Sequence, residues 1–456
     1  MLDSYSHFFF VGIAGTGMSA IAQYLRGVGK KVSGSDRLFG QSQKLLSETQ
    51  FESMGIQCYF QDGQGITEDV DVVVVSTAIE EKNVEYQKAV QLGIPIMKRS
   101  QLLAEISNSV RTIAVGGTSG KSTTTAMIFH IMEQCGKSPS LITGAGLSVM
   151  QKKGLPGNAW VGSSDWLVIE SDESDGSIVS YKPEISLLLN IDRDHKEFDE
   201  LEQLFTTFRE NTKSYFIANQ DYALTRKLSK PNKFNFGTVA DASIRGTDFS
   251  QKGFSISFKV NGVASTISAL GKHNMENALA AIAATNAAGI SLEESAKALA
   301  TFEGIYRRAQ LVGKTNNDIY VIDDFAHNPA EVSAVIKACQ AIGKRVIAWF
   351  QPHGYGPMRF MHKELTTMVG EALREQDIFL IADIYYAGGT VDQNISSTVV
   401  SEAMQSNGKR AEYVGQKEQS IARIGELAQP GDVIIVMGAR DPHLDVFAKE
   451  ILQKIS

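Results

Sequence analysis

Apolar positions along this chain fall into short runs, separated by glycine turns and by stretches of helical spacing. Residues 7–13, HFFFVGI, are an almost unbroken apolar run and predict a buried strand. Gly12, Gly15 and Gly17 follow at a turn, and residues 18–25 continue with helical periodicity. KKVSGSD predicts a second strand ending at Asp36, which completes a strand–turn–helix–strand unit. DVVVVSTAI at 71–79 and a short run near GIPIMKR extend the alternation. Strands alternating with helices predict a parallel sheet with right-handed crossovers.

The pattern restarts twice. From residue 111, RTIAVGG predicts a strand entering a glycine turn, KSTTTAMIFHIME a helix, and DWLVIESDES and ISLLLNI further strands. Between 234 and 270 the period falls to two in FSISFKV and ASTISAL, which predicts half-buried strands. An Ala-rich helix is expected from Gly271 to about Gly289. From about 311, IYVIDDFAHNP, RVIAWFQP, DIFLIADI and DVIIVMGARDP predict a third set of strands, each followed by helical sequence. Three α/β domains result, placed at 1–109, 110–311 and 312–456.

Composition changes this picture little. With 456 residues and 43% hydrophobic content the chain can bury several cores. Its formal net charge of −7 argues against nucleic acid as a main partner. The three cysteines, Cys58, Cys135 and Cys339, are widely spaced and form no CxxC, so reduced thiols without a metal or disulfide framework are expected. The N-terminal run is too short and too often broken by glycine for a signal peptide or a membrane span. A soluble, cytoplasmic protein without membrane contact is expected, with monomer and homodimer both open.

The most informative segment is Gly116-Gly117-Thr118-Ser119-Gly120-Lys121-Ser122-Thr123-Thr124, set between a strand and a helix. Glycines let backbone N–H groups approach phosphate oxygens, and the helix N-terminus favours negative charge. Lys121 can reach β- and γ-phosphates, and Ser122 can offer its hydroxyl to Mg²⁺. The segment departs from the strict spacing, because Val115 stands where the first glycine belongs. ATP is the expected ligand, through Gly117, Thr118, Ser119, Gly120, Lys121, Ser122 and Thr123. The turn Gly12-Ile13-Ala14-Gly15-Thr16-Gly17, with Asp36 downstream, is less specific: a dinucleotide site, a UDP-type diphosphate site and a close-packed turn without ligand all fit it.

Taken in order, these segments resemble the Mur ligase family over nearly the whole chain. HFFFVGIAGTGMSAIAQYL and VSGSD resemble its UDP-sugar-binding domain, and GTSGKSTTT its ATP loop. ESDESDGS and NIDRDH resemble its metal-binding strand ends, and GKHNMENALAA and GIYRR the end of its central domain. DDFAHNP, FQPH and GARDP resemble its C-terminal domain. The resemblance implies a Rossmann-like N-terminal domain, a central P-loop ATPase-like domain with a mixed sheet, and a Rossmann-like C-terminal domain.

It also implies an ATP- and Mg²⁺-dependent, ADP-forming ligase. Such an enzyme activates the carboxylate of UDP-N-acetylmuramate as an acyl phosphate and couples it to L-alanine, in peptidoglycan precursor synthesis. The alternative acceptor is a tripeptide in muropeptide recycling, or another amino acid. By the resemblance, Lys121, Glu170 and His195 would be catalytic, and Ser122, Glu170 and His195 would hold metal. Asn274, Asn277, Arg307, Arg308 and Asp324 would join the ATP site. Gly12, Ala14, Gly15, Thr16, Gly17, Asp36, Ser76 and Thr77 would bind the UDP-sugar, and His327, His353 and Arg359 the amine.

The chain departs from the family's alanine-adding pattern in three places. Ser119 stands where that branch carries His, FAHN (325–328) replaces Tyr-Gly-His-His, and two arginines expected after FQPH are replaced in GYGPMR.

Overall fold

The structure is a computed structural model, and it describes residues 4–40, 44–192, 197–386 and 392–456. Its sheets follow the three sections that the apolar runs outline. The first is five-stranded and parallel, in the spatial order Gln57–Phe60, Lys31–Asp36, His7–Val11, Val72–Val75, Ile96–Lys98. The order reverses between His7–Val11 and Val72–Val75, so a crevice opens at their C-terminal ends, beside the glycine turn. Phe8, Phe9 and Phe10 are fully buried, as expected for a strand covered on both faces.

The central sheet is six-stranded, in the order Tyr215–Ala218, Ile185–Leu188, Arg111–Gly116, Trp166–Glu170, Ser140–Ile142, Ala159–Trp160. Its last strand is antiparallel, which makes the sheet mixed. A four-stranded sheet, Phe236–Gly237, Ile244–Lys252, Ser255–Val260 and Val263–Ile267, flanks it. Strand Ser255–Val260 alternates buried and exposed positions, as its period of two requires. Helix Lys272–Ala287 is buried along most of its length, packed against helix Lys121–Gln134 and strand Ile244–Lys252. Its run of alanines allows this: small side chains let neighbouring elements approach from more than one side.

The third sheet has six strands, in the order Gln310–Lys314, Tyr320–Asp324, Asp432–Met437, Arg345–Phe350, Ile378–Ala382, Ala411–Gly415. All are parallel except Gln310–Lys314.

The packing couples the sections unequally. Phe8, Phe10 and Ile21 of the first section share one apolar cluster with Leu167, Ile169 and Phe205 of the second. The third section has its own clusters on the two faces of its sheet, and among the described residues the second contributes Leu270, with Phe254 and Ala309 at the margin, to one of them. Among the described residues no helix is long and apolar enough to cross a membrane, and the three cysteines are free.

Candidate active site

The phosphate loop is built by its neighbours. Strand Arg111–Gly116 delivers the loop, and Gly120 caps helix Lys121–Gln134 with a left-handed φ of 84°. Gly120 is also needed for space: a Cβ there would collide with the Asn277 Oδ1. The adjacent strand end holds the loop open through Asn190, whose Oδ1 accepts from the Ser119 N–H at 2.8 Å and from the Thr118 hydroxyl at 2.9 Å. Asn277 closes the other side, accepting from the Thr124 hydroxyl at 3.3 Å and donating to Asn274 Oδ1 at 3.1 Å.

Charge is concentrated at the loop. The Lys121 Nζ donates to the Gly117 carbonyl at 2.7 Å and to Glu173 at 2.9 Å. Burial disfavours this ammonium, but Glu173, Asp172 and Glu170 outweigh it and hold its pKa above the ordinary value. Ser122 donates to both Glu170 oxygens, at 3.0 and 2.9 Å. Glu170 also accepts from the Thr143 hydroxyl at 3.1 Å and the Gly144 N–H at 2.8 Å. A hydroxyl and an oriented carboxylate are the hard oxygen donors that Mg²⁺ takes, with one or two protein ligands and nucleotide phosphates completing its shell. Among the described residues no three His, Cys, Asp or Glu side chains cluster as a self-contained metal cage. His195, the third expected ligand, lies outside the described residues.

Beside the loop lies a cleft of about 870 Å³, counted out to its open mouth, between the second and third sections. Its wall includes Ser119, Gly120 and Thr123 at the loop, Asn274 and Asn277 from the Ala-rich helix, and Arg308 and Asp324 from the far side. Asp324 accepts from the Ala309 N–H at 2.5 Å and the Ala326 N–H at 2.7 Å. Burial pushes its pKa up to about 6, against the pull of Arg308. His273, on the same wall, is pushed down to about 4 by burial. Glu331 is held at about 2: burial opposes this, but His327 and Arg308 outweigh it.

Arg307 is a correction. It does not line the cleft. Its Nε donates to Asp323 at 2.9 Å and its Nη2 to the Gly438 carbonyl at 2.8 Å, so it is buried as a strut of the third sheet. A left-handed φ of 54° at Arg307 turns the chain here, and of the arginine pair it is Arg308 that lines the cleft.

The other expected residues are placed as follows. Gly12, Ala14, Gly15, Thr16 and Gly17 form the turn into helix Thr16–Gly27. Asp36 Oδ2 accepts from the Ala14 N–H at 3.2 Å, which ties the end of the second strand to that turn. Ser76 and Thr77 follow strand Val72–Val75 at the same sheet edge. His327 and His353 meet with ring centroids 5.4 Å apart, and His327 pairs with Glu331 at 3.0 Å. Arg359 points to segment 392–394 instead, donating to the Asp392 carbonyl at 2.6 Å.

Sequence reading missed Asn190, Glu173, Glu331 and the Tyr222–Glu276 pair (2.8 Å) that lines the cleft. Asn190 had a visible signal, a polar residue ending the apolar run ISLLL. Glu276 had none, since one acid in a helix start is ordinary.

The comparisons agree with this geometry. The chain matches the Mur ligase family, catalytic domain, over residues 7–111, the Mur ligase middle domain over 115–285, and the Mur ligase, glutamate ligase domain over 307–440. It is 34% identical to the UDP-N-acetylmuramate–L-alanine ligase of Syntrophomonas wolfei, covering 94% of each chain. The chain belongs to the Mur ligase family. It is thus an ATP-dependent, amide-bond-forming ligase. Its structure resembles that of the UDP-N-acetylmuramate–alanine ligase of Thermotoga maritima, with a TM-score of 0.79, 25% identity and 98% of each chain covered. The fold is shared also with a murein peptide ligase from Psychrobacter arcticus, at a TM-score of 0.67, 22% identity and coverage of 99% of this chain and 98% of that one.

Proposed function

We propose that this Mur ligase joins L-alanine to the lactyl carboxylate of UDP-N-acetylmuramate. The observation that carries the reaction type is the Ser122–Glu170 contact beside Lys121, next to a cleft that Arg308 and Asp324 line from the far side. The substrates are supported by end-to-end similarity to relatives that bear that name.

A carboxylate is a poor electrophile, so it is first activated. Its oxygen attacks the γ-phosphorus of ATP in line with the departing ADP, giving an acyl phosphate. The amine then attacks the acyl carbon, phosphate leaves, and the amine's proton is lost to a base. Lys121 is placed to neutralise charge on the transferring phosphoryl group. Ser122 and Glu170 would hold Mg²⁺, which when bound supplies further charge neutralisation; His195 is proposed as ligand of a second ion. Asn274, Asn277, Arg308 and Asp324 would orient the nucleotide. The glycine turn, Asp36, Ser76 and Thr77 would hold the UDP-sugar in a unit spanning 1–109. His327 and His353 would face the amine from a unit spanning 312–456, across the ATP unit at 110–311. These substrates are cytoplasmic metabolites, and the enzyme is proposed to work there.

The test is ATP-dependent phosphate release with UDP-N-acetylmuramate against L-alanine, glycine, L-serine and the L-Ala-γ-D-Glu-diaminopimelate tripeptide, with product masses. Turnover selective for L-alanine, with a product heavier by alanine less water, is expected. Selective turnover with the tripeptide would transfer the enzyme to the recycling reaction. No turnover with any of them, from protein that binds ATP, would remove the UDP-sugar assignment.

A further inference from the structure

Joining an amine to an acyl phosphate leaves a proton to be removed from the nitrogen, and a positioned base speeds that step. The titratable groups around the far wall of the cleft differ in their fitness for it. Both oxygens of Asp324 are taken by the N–H groups of Ala309 and Ala326. Glu331, held at about 2, and His273, pushed down to about 4, are weak bases.

His327 is set differently. It lies between strand Tyr320–Asp324 and helix Pro329–Cys339, whose N-cap is Asn328. Its Nδ1 is 3.2 Å from the Phe325 carbonyl and 3.0 Å from Glu331 Oε2. Both partners are acceptors, so in the neutral ring Nδ1 carries the hydrogen and Nε2 is the nitrogen that can take a proton. Glu331 is itself fixed. Its N–H donates to Asn328 Oδ1 at 2.9 Å, and its Oε2 also accepts from the His327 N–H at 3.2 Å. Its other oxygen lies 3.9 Å from Arg308 Nη1. One carboxylate thus lines the cleft that the phosphate loop also lines, and holds the histidine ring. The His327 side chain keeps 19% of its surface exposed, enough for a substrate to reach it.

We propose that His327 is the base of the ligation step, taking the amine's proton on Nε2, and that Glu331 is its positioning residue. This rests on the reading that an amine attacks an acyl phosphate here, and holds whichever amine that is. The nitrogen lone pair forms the N–C bond, and phosphate leaves with the C–O electron pair. The N–H electron pair stays on nitrogen as the proton passes to Nε2. Glu331 stabilises the imidazolium, as a buried carboxylate does for a histidine base, until the proton passes to water.

The experiment compares two nucleophiles toward UDP-N-acetylmuramate at saturating ATP: the amine that turns over in the panel above, L-alanine by expectation, and hydroxylamine. Hydroxylamine is a much weaker base than an amino acid, so its nitrogen sheds the proton to water more readily and depends less on His327. In His327→Asn, whose amide can still donate to Glu331, the ratio of amide product to hydroxamate is expected to fall about 100-fold. Glu331→Gln keeps an acceptor at the helix start without the charge. Its kcat should fall about tenfold, with the amine's KM and the melting temperature held. The acidic limb of its kcat profile should move to lower pH, because the imidazolium has lost its anion. Arg308, Asp324, His273 and His353 also face this corner and are the same in all three proteins, so the movement reports the pair. An unchanged ratio in His327→Asn, or equal loss of both products, overturns the base assignment. An unmoved limb in Glu331→Gln overturns the positioning role. Wild-type protein that makes neither product overturns the reading of the acid substrate, and this proposal with it.

Discussion

Asp324 shows how burial sets chemistry at a single residue. Its carboxyl accepts two backbone N–H bonds and faces Arg308, yet burial keeps its pKa near 6. In the unfolded chain the same group titrates near 3.9. Between those values the folded state holds the extra proton, so this group's contribution to stability is full below about pH 4 and declines as pH rises to about 6. Nucleotide binding should run the other way. The ionised carboxylate is the stronger hydrogen-bond acceptor toward a nucleotide donor, so ATP affinity is expected to fall as pH drops from 7 to 5, with a midpoint near 6. Glu331, held at about 2, stays charged throughout that window. Titrating ATP affinity from pH 5 to 8 in wild type and Asp324→Asn checks this. The variant should bind more weakly at pH 7 and lose the midpoint; a midpoint that survives in the variant would assign it to another group.

At the scale of elements, helix Thr16–Gly27 is docked on the loop before strand Ala159–Trp160 by one buried amide. Asn158 Nδ2 donates to the Thr16 carbonyl and the Ser19 hydroxyl, both at 2.9 Å, and its Oδ1 accepts from Gln23 at 2.8 Å. Asn158→Ala leaves these groups without their partner in a largely buried contact. A destabilisation of about 1–3 kcal/mol is expected in chemical denaturation. Nothing in the sequence announces Asn158. The elements themselves were legible, because FFFV, VVVV and ISLLL are buried on both faces and SISFKV on one. Short strands such as Gln57–Phe60 and Ala159–Trp160 were not, since exposed positions break their apolar pattern. The site divides in the same way. Lys121 and Ser122 announce themselves by local spacing, whereas Glu173 and Asn190 act across 52 and 71 residues of chain. The arginine pair at 307–308 was legible as a pair, but a left-handed φ at Arg307 decides which member lines the cleft, and no periodicity reports that.

For the whole molecule, the distribution of apolar clusters implies that three sequence sections make two thermodynamic units. The first and second sections share a cluster and the Asn158 contacts, so neither can lose its core without exposing part of the other. Among the described residues the third keeps its core to itself, apart from Leu270, Phe254 and Ala309, and meets the second across the open cleft. Such a boundary behaves more like an inter-domain interface than a continuous core. Scanning calorimetry of the full chain without ligands should therefore resolve two transitions rather than three. Asn158→Ala should lower the one that carries the first two sections. Trp349→Ala, which empties a fully buried position in the third sheet, should lower the other, at a cost of about 3–5 kcal/mol. Because ATP would contact both units, a non-hydrolysable analogue should draw the two transitions together as well as upward. Three transitions, or both moving equally in either variant without ligand, would show that the shared cluster does not set the unfolding units.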